Sequence, residues 1–310
     1  MKICIIGGAG CLGSSTAFNI VIQGLADELV LIDQDEGLAT LHVMDLLDTL
    51  VPCNQEMQIQ TGSYKDMGGS DLVIITASVP NREGSRQEYA LDNLPIMQEI
   101  ARGVNEICPD TITIIACNPV ETLNYSLYLL RANRDRSKFI GYASNDHFRL
   151  RKNVAEALDV KPSDVEGIVV GEHGDSQVPL FSSIRVNDKP VTLDERIKED
   201  IRKKPRERME KWLGASLART SGWVSGVGMA AVVRTIRDDT REMFICSAIL
   251  AGEYGYKGIS MSVPVILGRG GILQIQEREL LPDERERLEQ SVRVIKESTH
   301  YIDEALGITL

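Results

Sequence analysis

The stretch Ile3-Cys4-Ile5-Ile6-Gly7-Gly8-Ala9-Gly10-Cys11-Leu12-Gly13 decides the fold. A short apolar run that fits a buried parallel strand passes at once into a glycine-rich loop, and a helical pattern follows as far as Gly24. Gly8, Gly10 and Gly13 satisfy the spacing G-x-G-x-x-G, which gives a tight turn, lets a pyrophosphate approach bare backbone and packs the helix close on the strand. This unit predicts a dinucleotide site at the start of an α/β fold.

A carboxylate at the end of the next strand supports that prediction. Leu29 to Ile32 form a second apolar run that ends in Asp33, about twenty residues after the last glycine, where an acid would bind the adenosine ribose. The same acid would repel a 2'-phosphate, so NAD is favoured over NADP. The loop also fits Gly7-x-x-Gly10-x-x-Gly13, which resembles short-chain dehydrogenases and sugar-nucleotide epimerases. Their chemistry needs a lysine four residues after a tyrosine, and none of the eight tyrosines has one.

The rest of the pattern predicts two domains. Helical and apolar segments alternate through residues 37–141, as in a doubly wound parallel sheet. After about Leu158 the alternation gives way to hairpin strands and a charged helix, Asp194 to Leu217, that we expect to be interrupted at Pro205. We therefore expect a Rossmann dinucleotide-binding domain over residues 1–143, followed by an α+β substrate domain over residues 144–310.

The composition limits which binding partners the protein is expected to have. A net charge of -11 and a pI near 5.0 disfavour nucleic acid and anionic membrane surfaces. The sequence suggests neither a secretory leader nor an apolar run of about 18 residues that could span a membrane. The six cysteines show no C-x-x-C spacing, so we expect reduced thiols, no metal site and a cytoplasmic location. A small molecule is the expected partner.

The segment Gly171-Glu172-His173-Gly174-Asp175-Ser176 holds the strongest candidate for catalysis. It surrounds one of only four histidines with small and acidic residues, a poor setting for a core histidine. The apolar run Val165 to Val170 leads into it, so His173 should emerge at the carboxyl end of a strand, where α/β proteins bind ligands. The alternative is a solvated surface turn.

Other polar side chains are predicted at similar edges. Arg82 and Arg86 belong to a loop with proline and glycine after a buried strand, and Asn118 follows the next strand. Asp146 and Arg149, three residues apart, share one face of a predicted helix. Each has an ordinary alternative: solvated loop charges, a helix cap or a local salt bridge.

Taken in order, these motifs identify the chain as resembling the lactate/malate dehydrogenase family over nearly its whole length. The resemblance implies reversible, NAD-dependent oxidation of an L-2-hydroxy acid to a 2-oxo acid, on a Rossmann domain joined to a substrate domain. It also implies a homo-dimer or homo-tetramer.

The resemblance assigns roles that suit the residue types. His173 would exchange the hydroxyl proton, and Asp146 would fix its tautomer and stabilise its charged form. Arg149 would hold the substrate carboxylate in a bidentate grip, and Arg86 would stabilise charge at the reacting oxygen. Ser221 matches a small hydroxyl residue that lines the family's substrate pocket, and Asn118 would orient the substrate oxygen or the nicotinamide.

The specificity loop departs from the family. Malate dehydrogenases typically have Pro-Arg-Lys-Pro-Gly-Met-x-Arg, and lactate dehydrogenases have glutamine where the first arginine stands; residues 80–86 here are Pro-Asn-Arg-Glu-Gly-Ser-Arg, one residue shorter. Asn81 aligns with the discriminating position and resembles the lactate type, whereas neighbouring Arg82 could pair with a second carboxylate. We expect malate ahead of lactate or another 2-hydroxy acid. The alternative from another functional class is a protein that binds NAD but does not catalyse a reaction.

Overall fold

A computed structural model describes residues 1–80, 85–214 and 222–308. The strands are β1 (Lys2–Ile6), β2 (Glu28–Ile32), β3 (Gln58–Thr61), β4 (Leu72–Ile75), β5 (Ile112–Ile115), β6 (Phe139–Tyr142), β7 (Val165–Val170), β8 (Val178–Val186), β9 (Lys189–Pro190), β10 (Met243–Ala251), β11 (Lys257–Gly268) and β12 (Gly271–Ile275). The helices are α1 (Cys11–Ile22), α2 (Glu36–Cys53), α3 (Arg86–Ile107), α4 (Val120–Leu130), α5 (Ser144–Leu158), α6 (Glu195–Gly214), α7 (Trp223–Asp238) and α8 (Pro282–Ala305).

The main sheet has nine strands in the order β12-β11-β10-β6-β5-β4-β1-β2-β3. Strands β1 to β6 pair in parallel, and the order reverses between β1 and β4. In open α/β sheets such a reversal opens a crevice at the carboxyl ends of the strands. The predicted α/β class with a doubly wound parallel sheet is therefore confirmed. Helices α3, α4 and α5 follow β4, β5 and β6, so all three begin near this edge.

The core lies on both faces of this sheet. Alternate residues of β1 point to opposite sides: Ile3 and Ile5 join a cluster with α1 and α7, and Cys4 and Ile6 join a cluster with α3 and α4. A parallel sheet needs both of its faces covered, which explains why residues 3–6 of β1 are all apolar rather than alternating with polar residues.

Two features of the second half differ from the sequence prediction. The charged helix was expected to be interrupted at Pro205, but α6 runs through that residue without a break. A proline removes one backbone donor, and the lysines, arginines and glutamates around it are good helix formers. Strand β10 pairs antiparallel with β6, so β10, β11 and β12 extend the first sheet, and only β7, β8 and β9 form a separate three-stranded sheet.

In the part of the chain that the structure describes, none of the helices combines the length and the apolar character that a membrane span requires.

Candidate active site

The glycine loop after β1 forms a bare cradle at the start of α1. A Cβ atom on Gly13 would lie 2.2 Å from the carbonyl oxygen of Gly7, so only glycine lets the helix approach the strand this closely. Gly10 is the N-cap and makes no side-chain capping bond, and the first turn of α1 has no acidic residue. The amides of that turn are therefore free to bind an anion such as a pyrophosphate.

Asp33, directly after β2, is tied to the same loop. Its Oδ2 accepts a hydrogen bond from the amide of Ala9 at 2.9 Å, and its Oδ1 accepts one from the amide of Asp35 at 3.0 Å. The carboxylate is thus fixed beside the glycine loop. This arrangement fits a dinucleotide whose phosphates lie on α1 and whose ribose reaches Asp33.

His173, Asp146 and Arg149 form a linked set. His173 follows β7 and Asp146 lies in the first turn of α5, and their Nδ1 and Oδ2 atoms are 2.5 Å apart. The other oxygen of Asp146 accepts a hydrogen bond from Nη1 of Arg149 at 2.9 Å. The Asp146 side chain is only 5% exposed, whereas those of His173 and Arg149 are 17% and 33% exposed. A buried carboxylate thus links an imidazole and a guanidinium, both of which are partly exposed and can reach a ligand.

The pair has shifted proton affinities. Burial alone would lower the pKa of His173, but the charge of Asp146, its hydrogen bond and the charge of Glu121 outweigh burial, so the pKa is raised. Burial raises the pKa of Asp146, but the charge and hydrogen bond of His173, helped by Arg149, outweigh it, so the pKa is lowered. The structure therefore favours an ionised Asp146 and a His173 that takes up a proton readily.

Arg86 lies against the histidine segment. It begins α3, after a capping box formed by Ser85 and Glu88, and its Nη1 is 2.9 Å from both a carboxylate oxygen of Glu172 and the carbonyl oxygen of His173. A Cβ atom on residue 174 would fall 2.2 Å from Nη2 of Arg86, so Gly174 leaves the room that this guanidinium occupies.

Glu121 is a site residue that the sequence reasoning missed. It lies in the first turn of α4 and is 1% exposed; its Oε1 accepts hydrogen bonds from the amide of His173 at 3.1 Å and from the hydroxyl of Ser262 at 2.7 Å. Burial raises its pKa, although His173 and Ser262 act in the opposite direction. In the sequence, Glu121 is an acidic residue in the first turn of a predicted helix, a position where an acid ordinarily only stabilises the helix N-terminus.

The remaining predicted residues divide into two groups. Asn118 is exposed, three residues after the end of β5 and three before Glu121, at the same edge of the sheet. Asn81, Arg82 and Ser221 lie outside the described residues.

The geometry suits proton transfer beside a bound anion. With Nδ1 facing Asp146, Nε2 of His173 is the nitrogen left for a ligand's proton. Two guanidiniums belong to the same region: Arg149 pairs with Asp146, and Arg86 pairs with Glu172 and donates to the carbonyl oxygen of His173. One partly buried region thus holds an imidazole that can exchange a proton, a carboxylate that supports it and two guanidiniums. These groups are suited to oxidising or reducing a small molecule that carries a carboxylate.

Two family models match the chain. The model described as "lactate/malate dehydrogenase, NAD binding domain" matches residues 1–141, and "lactate/malate dehydrogenase, alpha/beta C-terminal domain" matches residues 144–305.

Individual proteins agree with these models. A malate dehydrogenase of Natronomonas pharaonis is 36% identical over 297 residues, which cover 93% of this chain and 97% of the relative. L-lactate dehydrogenase 2 of Lactococcus lactis is 32% identical over 304 residues, 96% of either chain. The crystal structure of a lactate dehydrogenase from Cryptosporidium parvum, complexed with lactic acid and nicotinamide adenine dinucleotide, superposes with a TM-score of 0.90 at 29% identity and covers 97% of this chain and 98% of that one.

Proposed function

This chain belongs to the lactate/malate dehydrogenase family, and from that premise we propose that it transfers a hydride between NAD and a small L-2-hydroxy acid, with malate and oxaloacetate as the favoured pair. The observation that carries the proposal is the 2.5 Å contact between His173 and Asp146, flanked by Arg149 and Arg86. The glycine loop and Asp33 are the residues that would hold NAD, which supplies the hydride acceptor when bound.

We infer a division of labour among the side chains. His173 takes the hydroxyl proton through Nε2 when the acid is oxidised and returns it on reduction, while Asp146 holds the tautomer and stabilises the charged ring. Arg149 binds the carboxylate next to the reacting carbon, since a guanidinium matches a carboxylate in a planar, two-bond contact. Arg86 stabilises the charge that develops on the reacting oxygen. Asn118 orients that oxygen or the nicotinamide.

The preference for malate rests on Arg82 and on the malate dehydrogenases among the relatives, such as the one at 36% identity. Lactate is the alternative, since Asn81 is neutral and lactate dehydrogenases match as well. Arg82 would bind the distal carboxylate of oxaloacetate, and Ser221 would line the pocket beside it. We also propose that residues 1–143 form the dinucleotide-binding domain, which contributes Arg82, Arg86 and Asn118 to the substrate site, and that residues 144–310 form the substrate and catalytic domain.

The test is a substrate panel. The protein is mixed with NADH and with oxaloacetate, pyruvate or bulkier 2-oxo acids, and the absorbance of NADH is followed. We expect turnover, fastest with oxaloacetate. No turnover on any member of the panel would favour an NAD-binding module without catalysis.

A pair of variants tests the loop. Arg82→Ala should cost oxaloacetate about 2–5 kcal/mol of transition-state stabilisation and leave pyruvate nearly unchanged. If Asn81 lines the pocket instead, Arg82→Ala would change little, Asn81→Arg would create oxaloacetate activity, and lactate would move ahead of malate.

We further propose a homo-dimer or homo-tetramer. Helices α2 and α7 both pack on α1 and expose large apolar side chains, among them Leu41, Met44 and Val51 on α2 and Trp223 and Val227 on α7, which are between 58% and 81% exposed. A second copy of the chain would bury this face. Light scattering of the wild type and of a Leu41→Glu variant tests it, and a monomeric wild type would contradict it.

We also infer a cytoplasmic location, supported by six cysteines that are all free thiols. A fluorescent fusion that localises outside the cytoplasm would overturn this inference.

A further inference from the structure

A positively charged face of α6 borders a cavity next to Arg149. Lys204, Arg208 and Lys211 are spaced four and three residues apart, so they share one face of the helix, and all three line a cavity of about 440 Å³. Arg149 and Asp146 line the same cavity from α5. A volume of this size is typical of small-molecule sites.

The placement of α6 is set by packing, so these cations are held toward α5. Ile201 of α6 and Leu150 of α5 are buried in one apolar cluster, and the basic residues follow Ile201 about one to three helical turns later. The lining of the cavity within the described residues has five basic and three acidic side chains, in a chain whose net charge is -11. This local excess of positive charge attracts anions where the rest of the molecule repels them.

Two of the basic side chains have no acidic partner in the described ranges. Lys204 pairs with Asp200 at 3.4 Å, but neither Arg208 nor Lys211 has an ion pair with a described residue. Burial and the charge of Arg149 lower the pKa of Arg208, and Asp146 acts in the opposite direction, so the charge of Arg208 lies close enough to act on the Asp146–Arg149 pair. Like charges four residues apart destabilise a helix, which makes a ligand the natural counter-charge.

We propose that Arg208 is a further specificity residue, which adds a contact from α6 to the distal carboxylate of a dicarboxylic 2-oxo acid while Arg149 binds the carboxylate next to the reacting carbon. The proposal rests on the function proposed above and names the substrate class. Because Arg149 on α5 and Arg208 on α6 line the same cavity, a dicarboxylate held at Arg149 has a second guanidinium to engage, whereas a monocarboxylate has no second charge to offer it. Lys211, one turn later on the same face, adds to the attraction without being required for the bridge.

The experiment compares Arg208→Gln with the control Arg206→Gln. Arg206 is on the same helix, its side chain is 78% exposed, and it pairs with Glu210 rather than lining the cavity. Arg208→Gln should lower kcat/KM for oxaloacetate about tenfold, mostly through KM, and leave pyruvate unchanged, because the lost contact is equal in ground and transition states. Arg206→Gln should change neither substrate, and Arg208→Lys should recover part of the loss.

Equal losses on oxaloacetate and pyruvate would mean that Arg208 serves the shared carboxylate, and no loss on either would mean that it faces solvent; both results overturn the proposal. Titration calorimetry with malonate and acetate separates this proposal from the hydride chemistry. Arg208→Gln should weaken malonate binding about tenfold relative to acetate even if no 2-oxo acid is turned over. Unchanged malonate binding would refute the subsite on its own.

Discussion

Replacing Asp146 with asparagine should separate the charge of this side chain from its shape. The new amide either accepts the hydrogen bond from Arg149 with its oxygen and presents an NH₂ group to Nδ1 of His173, or presents its neutral oxygen to Nδ1 and loses the bond to Arg149. The charge of Asp146 is a principal reason that the pKa of His173 is raised. In the proposed mechanism, reduction of a 2-oxo acid needs His173 protonated, so a raised pKa of His173 extends reduction to higher pH. Without the charge, the alkaline limb of the reduction profile should move toward lower pH.

The size of the effect follows from burial. The Asp146 side chain is 5% exposed and its oxygen lies 2.5 Å from the imidazole nitrogen. Removing one partner of such a buried pair costs about 3–5 kcal/mol. At about 1.36 kcal/mol per tenfold change, that is roughly a 150- to 5,000-fold loss in kcat/KM for reduction. The exposed faces of His173 and Arg149 favour the lower end of this range.

The assay measures kcat/KM for reduction with NADH across about pH 5 to 9, which brackets histidine titration. Asp175→Asn is the matched control, because Asp175 is two residues from His173 but exposed. Its profile should coincide with that of the wild type. An Asp146→Asn enzyme that keeps its alkaline limb in place, or loses no more activity than Asp175→Asn, would refute the role assigned to the buried charge.

Three further substitutions have defined outcomes. Asp33→Asn should raise the ratio of NADPH to NADH efficiency at least about fivefold, the scale of one like-charge contact in water; an unchanged ratio would remove Asp33 as the source of discrimination. Arg86→Ala should lower kcat about 10²- to 10³-fold on every 2-oxo acid, and normal rates with any of them would exclude a role at the reacting oxygen. Glu121→Gln should move the alkaline limb for reduction to lower pH, since the charge of Glu121 also raises the pKa of His173, but by less than Asp146→Asn does; a larger shift would reverse their ranking.

The part of the fold that was predictable from sequence is the part governed by local pattern. Apolar runs of four to six residues followed by glycine, asparagine or an acidic residue predicted β1, β2 and β5. A parallel strand that is buried on both faces appears in the sequence as a continuous apolar run, which is easy to recognise. The pairing of β10 with β6 was not predictable in this way, since those strands are about a hundred residues apart and no local signal selects a partner. The uninterrupted course of α6 through Pro205 depends on the balance between one lost hydrogen bond and many good helix formers.

The candidate site shows the same limit. His173 stands out in the sequence because small and acidic residues surround it, whereas Asp146 and Arg149 take their roles from the family resemblance, since their spacing on a helix also fits a local salt bridge. Glu121 was not recognised from the sequence, because its place in the site depends on a hydrogen bond from the amide of His173, 52 positions later in the chain. Arg208 belongs to a run of charged helix residues, and the sequence alone predicts that such a run faces solvent. Only the packing of α6 on α5 turns that run toward Arg149.

The contacts of Asp146 connect substrate binding with proton uptake. Its two oxygens are divided between His173 and Arg149, so each cation reduces the charge that the other experiences. A substrate carboxylate that engages Arg149 draws guanidinium charge away from Asp146 and adds a negative charge nearby. Both changes raise the proton affinity of His173, and burial makes them large because little solvent screens the charges. Since such coupling is reciprocal, we expect a protonated His173 to favour binding of the 2-oxo acid, so that in the proposed mechanism the contacts that hold the acid also favour the proton that its reduction requires.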